Sequence, residues 1–180
     1  MKLLVLSDIH GSLFYAKKIE EIIEKENPTG IVLLGDLYYH GPRNPLTEEY
    51  NPKEVANILN KYTEKILAVK GNCDAEVDEM ISNFKMQDKV SFYSEGVNML
   101  FTHGHKINID NMPNNISNLK ILCYGHFHTG FIKEKDGVII FNPGSISMPK
   151  DNTRHSYGII ENGEIYLKDV SGDVIESKKF

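Results

Sequence analysis

Cysteine is scarce in this 180-residue chain. There are two, Cys73 and Cys123, far apart and in no C-x-x-C pair. That argues against a disulfide framework and a thiolate zinc cluster, and it favours a reducing, cytoplasmic setting. Long apolar runs are also missing. None approaches the roughly 20 residues that span a bilayer, so no membrane association is expected. The opening Met1-Lys2-Leu3-Leu4-Val5-Leu6 is too short for a signal peptide, and Ser7-Asp8-Ile9-His10 interrupts it at once. There is no excess of positive charge. A net charge of −5 gives no general pull toward nucleic acid or anionic lipid, and no nucleic-acid-binding surface is evident. An anionic substrate remains open, because bound divalent cations can dominate a local field. Gly-x-Ser-x-Gly is absent around Ser7, Ser12 and Ser145, which weakens any serine-hydrolase reading.

The chain is 41% hydrophobic and 25% charged, as in an ordinary globular protein, and its length suits one domain over residues 1–180. Apolar residues run from Leu3 to Leu6 and from Ile31 to Leu34, and Ile66-Leu67-Ala68-Val69 makes a third such run. These read as buried strands. Between the first two, Leu13, Ala16, Ile19, Ile22 and Ile23 recur at helical spacing, closed by Asn27-Pro28. Pro52 opens a second helix carrying Val55, Ala56, Ile58 and Leu59. Strand–helix–strand units imply a parallel sheet, with ligands gathered at the carboxyl ends of its strands. Asp74 is expected to cap a short helix through Met80 and Ile81. The second half holds short strand-like segments punctuated by Asp136-Gly137, Asn162-Gly163 and Ser171-Gly172, which predict hairpins. The fold class expected is α/β: a two-sheet β-sandwich flanked by helices.

Five short motifs carry the chemistry: Asp8-Ile9-His10, Gly35-Asp36, Gly71-Asn72-Cys73-Asp74, Thr102-His103-Gly104-His105 and Gly125-His126-Phe127-His128. Five of the seven histidines fall in them. Each motif alone has an ordinary structural explanation as a turn, a cap or a surface loop. Five in one chain, all near predicted strand ends, do not. Read as extended segments, Asp8 and His10 point the same way, as do His126 and His128. The candidate metal ligands are Asp8, His10, Asp36, Asn72, His103, His126 and His128, more than one ion needs. Two ions would share one carboxylate. Carboxylate, imidazole and amide donors suit Mn, Fe, Co, Ni or Zn.

The order Asp-x-His, Gly-Asp, Gly-Asn, His-Gly-His, Gly-His-x-His resembles the calcineurin-like metallophosphoesterase superfamily. The resemblance runs from residue 3 to about residue 160. Gly71-Asn72-Cys73-Asp74, the loop His40-Gly41-Pro42-Arg43-Asn44 and Asn142-Pro143-Gly144-Ser145 are similar, more narrowly, to the small bacterial YfcE-type phosphodiesterases. The resemblance implies hydrolysis of a phosphodiester at a two-metal centre with a bridging hydroxide, manganese being the family's usual ion. Asp8, His10, Asp36 and His128 would hold one ion, and Asp36, Asn72, His103 and His126 the other. Many members place histidine after the Gly-Asn pair to protonate the leaving group, whereas this chain has Cys73 there. His105 and Arg43 are the candidate catalytic residues, for proton transfer or phosphate contact. The partner expected is a small phosphodiester. A phosphomonoesterase on the same site and a non-catalytic interaction module of the same fold are the competing readings. The strands of the second half leave room for a homo-oligomer.

Overall fold

The structure is a computed structural model and describes residues 1–113 and 118–180. In chain order the elements are β1 (Lys2–Leu6), α1 (Leu13–Glu26), β2 (Gly30–Leu33), α2 (Pro52–Asn60), β3 (Ile66–Val69), β4 (Met86–Gln87), β5 (Lys89–Ser94), β6 (Val97–Thr102), β7 (Leu119–Tyr124), β8 (Gly130–Lys135), β9 (Val138–Pro143), β10 (Ser156–Glu161), β11 (Glu164–Asp169) and β12 (Val174–Lys179). One sheet has seven strands in the order β12-β11-β10-β1-β2-β3-β4, the other five in the order β5-β6-β7-β9-β8.

The unbroken apolar runs have a direct cause. Successive residues of a strand face opposite sides. Leu4, Leu6, Ile31 and Leu33 pack under α1 and α2, while Leu3, Val5, Val32 and Leu34 meet Phe101, Ile121, Cys123 and Phe141 of the second sheet. β1 and β2 are therefore apolar on both faces. α1 begins where Ser12 Oγ accepts the Tyr15 N–H (3.3 Å) and stops at Asn27, in the left-handed region. α2 starts with Asn51 as its cap and Pro52 in its first turn. The outer face of the second sheet, with Leu100, Leu122, Tyr124 and Ile140, is covered by Ile107, Ile109 and Met112 of the β6–β7 connection.

The three marked turns do join antiparallel neighbours: β8–β9, β10–β11 and β11–β12. Asp136-Gly137 and Asn162-Gly163 have positive φ at both positions, the twist a tight hairpin needs. A fourth hairpin, β5–β6, turns at Glu95-Gly96. The expectation of hairpins fails in the middle of the second sheet, where β6–β7 and β7–β9 are parallel. That correction matters for the site. Parallel β6 and β7 end on the same edge as β1, β2 and β3, so loops from both sheets meet there.

Candidate metal centre

At that edge five strand ends pass into Asp8-Ile9-His10, Gly35-Asp36, Gly71-Asn72, His103-Gly104 and Gly125-His126-Phe127-His128. The loops are laced together by their backbones. The Asp8 N–H donates to Gly35 O (3.1 Å), His10 N–H to Asp36 O (2.9 Å) and Gly125 N–H to His103 O (2.9 Å). Ser145 and Ser147 hydroxyls both donate to Asp8 O, at 2.7 and 2.9 Å. Two approaches admit only glycine. A Cβ on Gly71 would overlap the Asp36 carboxylate, and one on Gly125 would overlap the Ser7 hydroxyl.

The local conformation differs from the extended one expected. Asp8, His10, Asp36, His126 and His128 all have positive φ, between 49° and 65°. Convergence of these side chains is thus not the period-two geometry of a strand. Each residue reverses the chain locally, at about 1–3 kcal/mol of strain apiece, offset by the packing and hydrogen bonds around it. Asp74 also departs from expectation. It caps no helix. Its carboxylate accepts the N–H groups of Asp36 (2.8 Å), Leu37 (2.8 Å) and Gly71 (2.7 Å), tying two ligand loops together. Burial pushes its carboxyl above the usual range, against the pull of those donors. The Ala75 N–H, at the start of the 3-10 turn Glu76–Met80, goes instead to Asp78.

Three histidines are fixed in the same way. Nδ1 of His10, His103 and His128 faces a backbone carbonyl: Tyr39 at 2.6 Å, Leu34 at 2.7 Å and Met148 at 2.7 Å. A carbonyl only accepts, so each Nδ1 carries a proton and each ring points its Nε2 inward, where loss of the second proton frees a lone pair for a metal ion. His10 and His128 Nε2 face each other at 3.3 Å. His103 Nε2 faces Asn72 Oδ1 (3.0 Å), His126 Nδ1 (3.2 Å) and an Asp36 carboxylate oxygen (3.4 Å). Asp8 Oδ1 is buried with no hydrogen-bond partner. Acceptors that crowd together in a buried place ask for a cation. The protonation of the site shows the same field. Burial lowers the affinity of His103 for a proton, but Asp36 and Asp8 outweigh it and lift its pKa to about 9. Burial raises the Asp8 carboxyl, yet the surrounding imidazoles hold it well below the usual range.

The donors fall into three groups, each with its ligand atoms within 4.8 Å of one another: Asp8, His10 and His128; Asp36, His103 and His126; and His10, Asp36 and Cys73, which overlaps both. Asp36 lies between the first two: His10 Nε2 is 3.8 Å and His103 Nε2 3.4 Å from its carboxylate. Asn72 sits beside the second group, exposed, and its Nδ2 donates to Cys73 Sγ at 3.3 Å. All seven expected ligands are thus brought together, and their carboxylate, imidazole and amide donors are of the kind that suits a divalent metal ion.

A cavity of about 700 Å³ opens over this cluster, lined by His10, Asp36, Asn72, His126 and His128. Arg43 and Cys73 also line it. Burial, then the adjacent Asp36 carboxylate, push the Cys73 thiol up to about 12. His105 lies apart: it is exposed, its ring centre 5.4 Å from that of His103, and it borders a separate hollow with Thr102 and Ile107. Tyr39, expected with Tyr38 and His40 to shape the pocket, lines the cavity, and the sequence reading missed Lys150 on the same wall. Lys150 lies in none of the motifs and had no signal of its own.

Comparison with known proteins identifies the family. Residues 1–164 match the model of the calcineurin-like phosphoesterase superfamily domain. The phosphodiesterase YfcE of Escherichia coli is 40% identical over 163 residues, covering 90% of this chain and 88% of that protein. The solved structure of the E. coli phosphoesterase superposes with a TM-score of 0.95 at 36% identity, covering 99% of both chains. Vps29 of Entamoeba histolytica, solved with zinc, gives a TM-score of 0.63 at 19% identity, covering 100% of this chain and 98% of that one. That last likeness is one of fold.

Proposed function

The chain belongs to the calcineurin-like phosphoesterase superfamily, and on that premise we propose that it is a metal-dependent phosphodiesterase acting on a small phosphodiester at a two-ion centre. The observation that carries this reading is the inward-facing set of Nε2 atoms beside the unpartnered Asp8 oxygen. Two divalent ions bound there would polarise the phosphoryl oxygens and make a hydroxide nucleophile from a shared water at neutral pH. Manganese is the first ion to test, then Fe, Co, Ni and Zn.

The chain's own residues have separable tasks. Asp8, His10, Asp36 and His128 would hold one ion, and Asp36, Asn72, His103 and His126 the other. Tyr39, Leu34 and Met148 carbonyls fix the rings, so no reorientation is needed when the substrate arrives. Arg43 offers its guanidinium to an anionic group of the substrate from the cavity wall. His105 supports the centre through its neighbour His103. Its distance from the cavity favours that over proton transfer. Two free thiols suit a cytoplasmic location.

The test is hydrolysis of bis(p-nitrophenyl) phosphate by the purified protein. Activity should appear with added Mn and vanish with chelator. Faster release from p-nitrophenyl phosphate would reassign the enzyme as a monoesterase. A folded sample inactive with all five metals would favour the interaction module.

A further inference from the structure

The cavity holds two cations that the centre does not need. Only two arginines occur in the chain. Arg154 is 2.9 Å from Asp169, whereas Arg43 has no carboxylate or carbonyl partner among the described residues and lines the cavity. The ammonium of Lys150 is likewise without a partner among the described residues, on the same wall system. Both come from fixed backbone. The Arg43 turn is closed by Asn44, whose N–H donates to Gly41 O (3.3 Å) and whose side-chain amide donates to His40 O (2.8 Å). Lys150 is tied to a metal-site loop, since its N–H donates to His128 O (3.1 Å) and its carbonyl accepts from Thr153. Elsewhere this acidic protein pairs many of its surface cations with carboxylates, as with Lys17, Lys18, Lys61 and Lys178.

Charge balance gives the pair a meaning. Two divalent ions would outweigh the carboxylates of Asp8 and Asp36 and the hydroxide nucleophile by a single positive charge, so the loaded centre alone suits a diester monoanion. The other acidic group of the wall besides Asp36, Asp74, is buried and occupied by three backbone N–H groups. Arg43 and Lys150 are therefore surplus to one monoanion, and the cavity of about 700 Å³ is large for a lone phosphate. We propose that Arg43 and Lys150 bind a second anionic group on the substrate, so that the preferred substrates are diesters carrying a phosphate on one arm. Guanidinium and ammonium are the side chains suited to a terminal phosphate dianion. This rests on the phosphodiesterase reading above.

A matched pair of substrates tests it: the p-nitrophenyl ester of thymidine 5′-phosphate, with and without a 3′-phosphate. With Mn, the wild-type protein should prefer the 3′-phosphorylated ester by about tenfold or more in kcat/KM. Lys150→Met and Arg43→Gln should each lower that ratio severalfold, and the double variant should bring it near unity. Calorimetry should show thymidine 3′,5′-bisphosphate binding more tightly than thymidine 5′-phosphate to the wild type, with the difference lost in the double variant. Equal kcat/KM for both esters in an active wild-type enzyme would overturn the proposal while leaving the phosphodiesterase reading intact. A ratio unchanged in the double variant would also overturn it. Failure to hydrolyse either ester with any of the five metals would instead count against the reading beneath it.

Discussion

Strand β1 begins beside one buried carboxylate and ends at two others, and the two ends are compensated differently. At the start, Glu26 accepts from Lys2 (2.6 Å), Lys168 (2.7 Å) and Tyr157 (2.9 Å). Burial alone would raise its carboxyl, but Lys168, Lys2 and Tyr157 more than reverse that and bring it to about 2. At the other end Asp8 and Asp36 have only histidines within ion-pair distance among the described residues, and Asp8 Oδ1 has no hydrogen-bond partner. The first cluster is closed within the chain, so it contributes to the fold. The second is left open to a cation from outside, so it is available for chemistry.

The sharpest way to break this contrast is to remove one carboxylate from each end. Asp36→Asn should reduce Mn-dependent diester hydrolysis by at least about a thousandfold and lower the metal content per chain, because it withdraws the group shared by both halves of the centre. Steady-state kinetics with elemental analysis would measure this. A loss no larger than that of Arg43→Ala would remove Asp36 from its joining position. Glu26→Gln should leave kcat and metal content unchanged but destabilise the protein by about 3 kcal/mol at neutral pH, read by urea unfolding. The sign with pH follows from the depressed carboxyl. Its contribution is complete above the unfolded value near 4.5 and is lost as pH falls toward about 2, so the variant's deficit should shrink through that window.

Smaller effects sharpen the comparison. Saturating Mn should raise Tm by roughly 5–10 °C through preferential binding to the folded state, equally in wild type and Glu26→Gln, since the two ends do not touch. An increment that differs between them would show that the ends are coupled. The mildest change is Cys73→His. It should speed hydrolysis of diesters with poor leaving groups by about tenfold or more and leave p-nitrophenyl esters unaffected. Equal rates on poor leaving groups would mean that protonation from this position does not limit the reaction.

Much of the first half was legible because its patterns are local. Ile19, Ile22 and Ile23 announce α1, Asn27-Pro28 closes it, and Leu3 to Leu6 read as a strand buried on both faces. The parallel pairing of β6 with β7 was not legible, because short apolar segments do not say which neighbour they join. Asp74 was misread for a related reason. Its partners, the N–H groups of Asp36 and Leu37, lie across a loop contact that sequence spacing cannot reveal.

By itself the sequence determined the donor set: which carboxylates, imidazoles and amide stand at the ends of apolar runs, and hence which class of ion they suit. Tertiary structure decided how those donors meet. Asp8, His10, His126 and His128 take left-handed backbone where extended chain was expected, three histidine rings are turned by carbonyls from distant loops, and Lys150 joins a cavity whose other walls lie far from it in the chain. Donor chemistry belongs to single residues and can be read one letter at a time. Ring orientation and the meeting of walls depend on contacts between remote segments, which exist only once both sheets have packed.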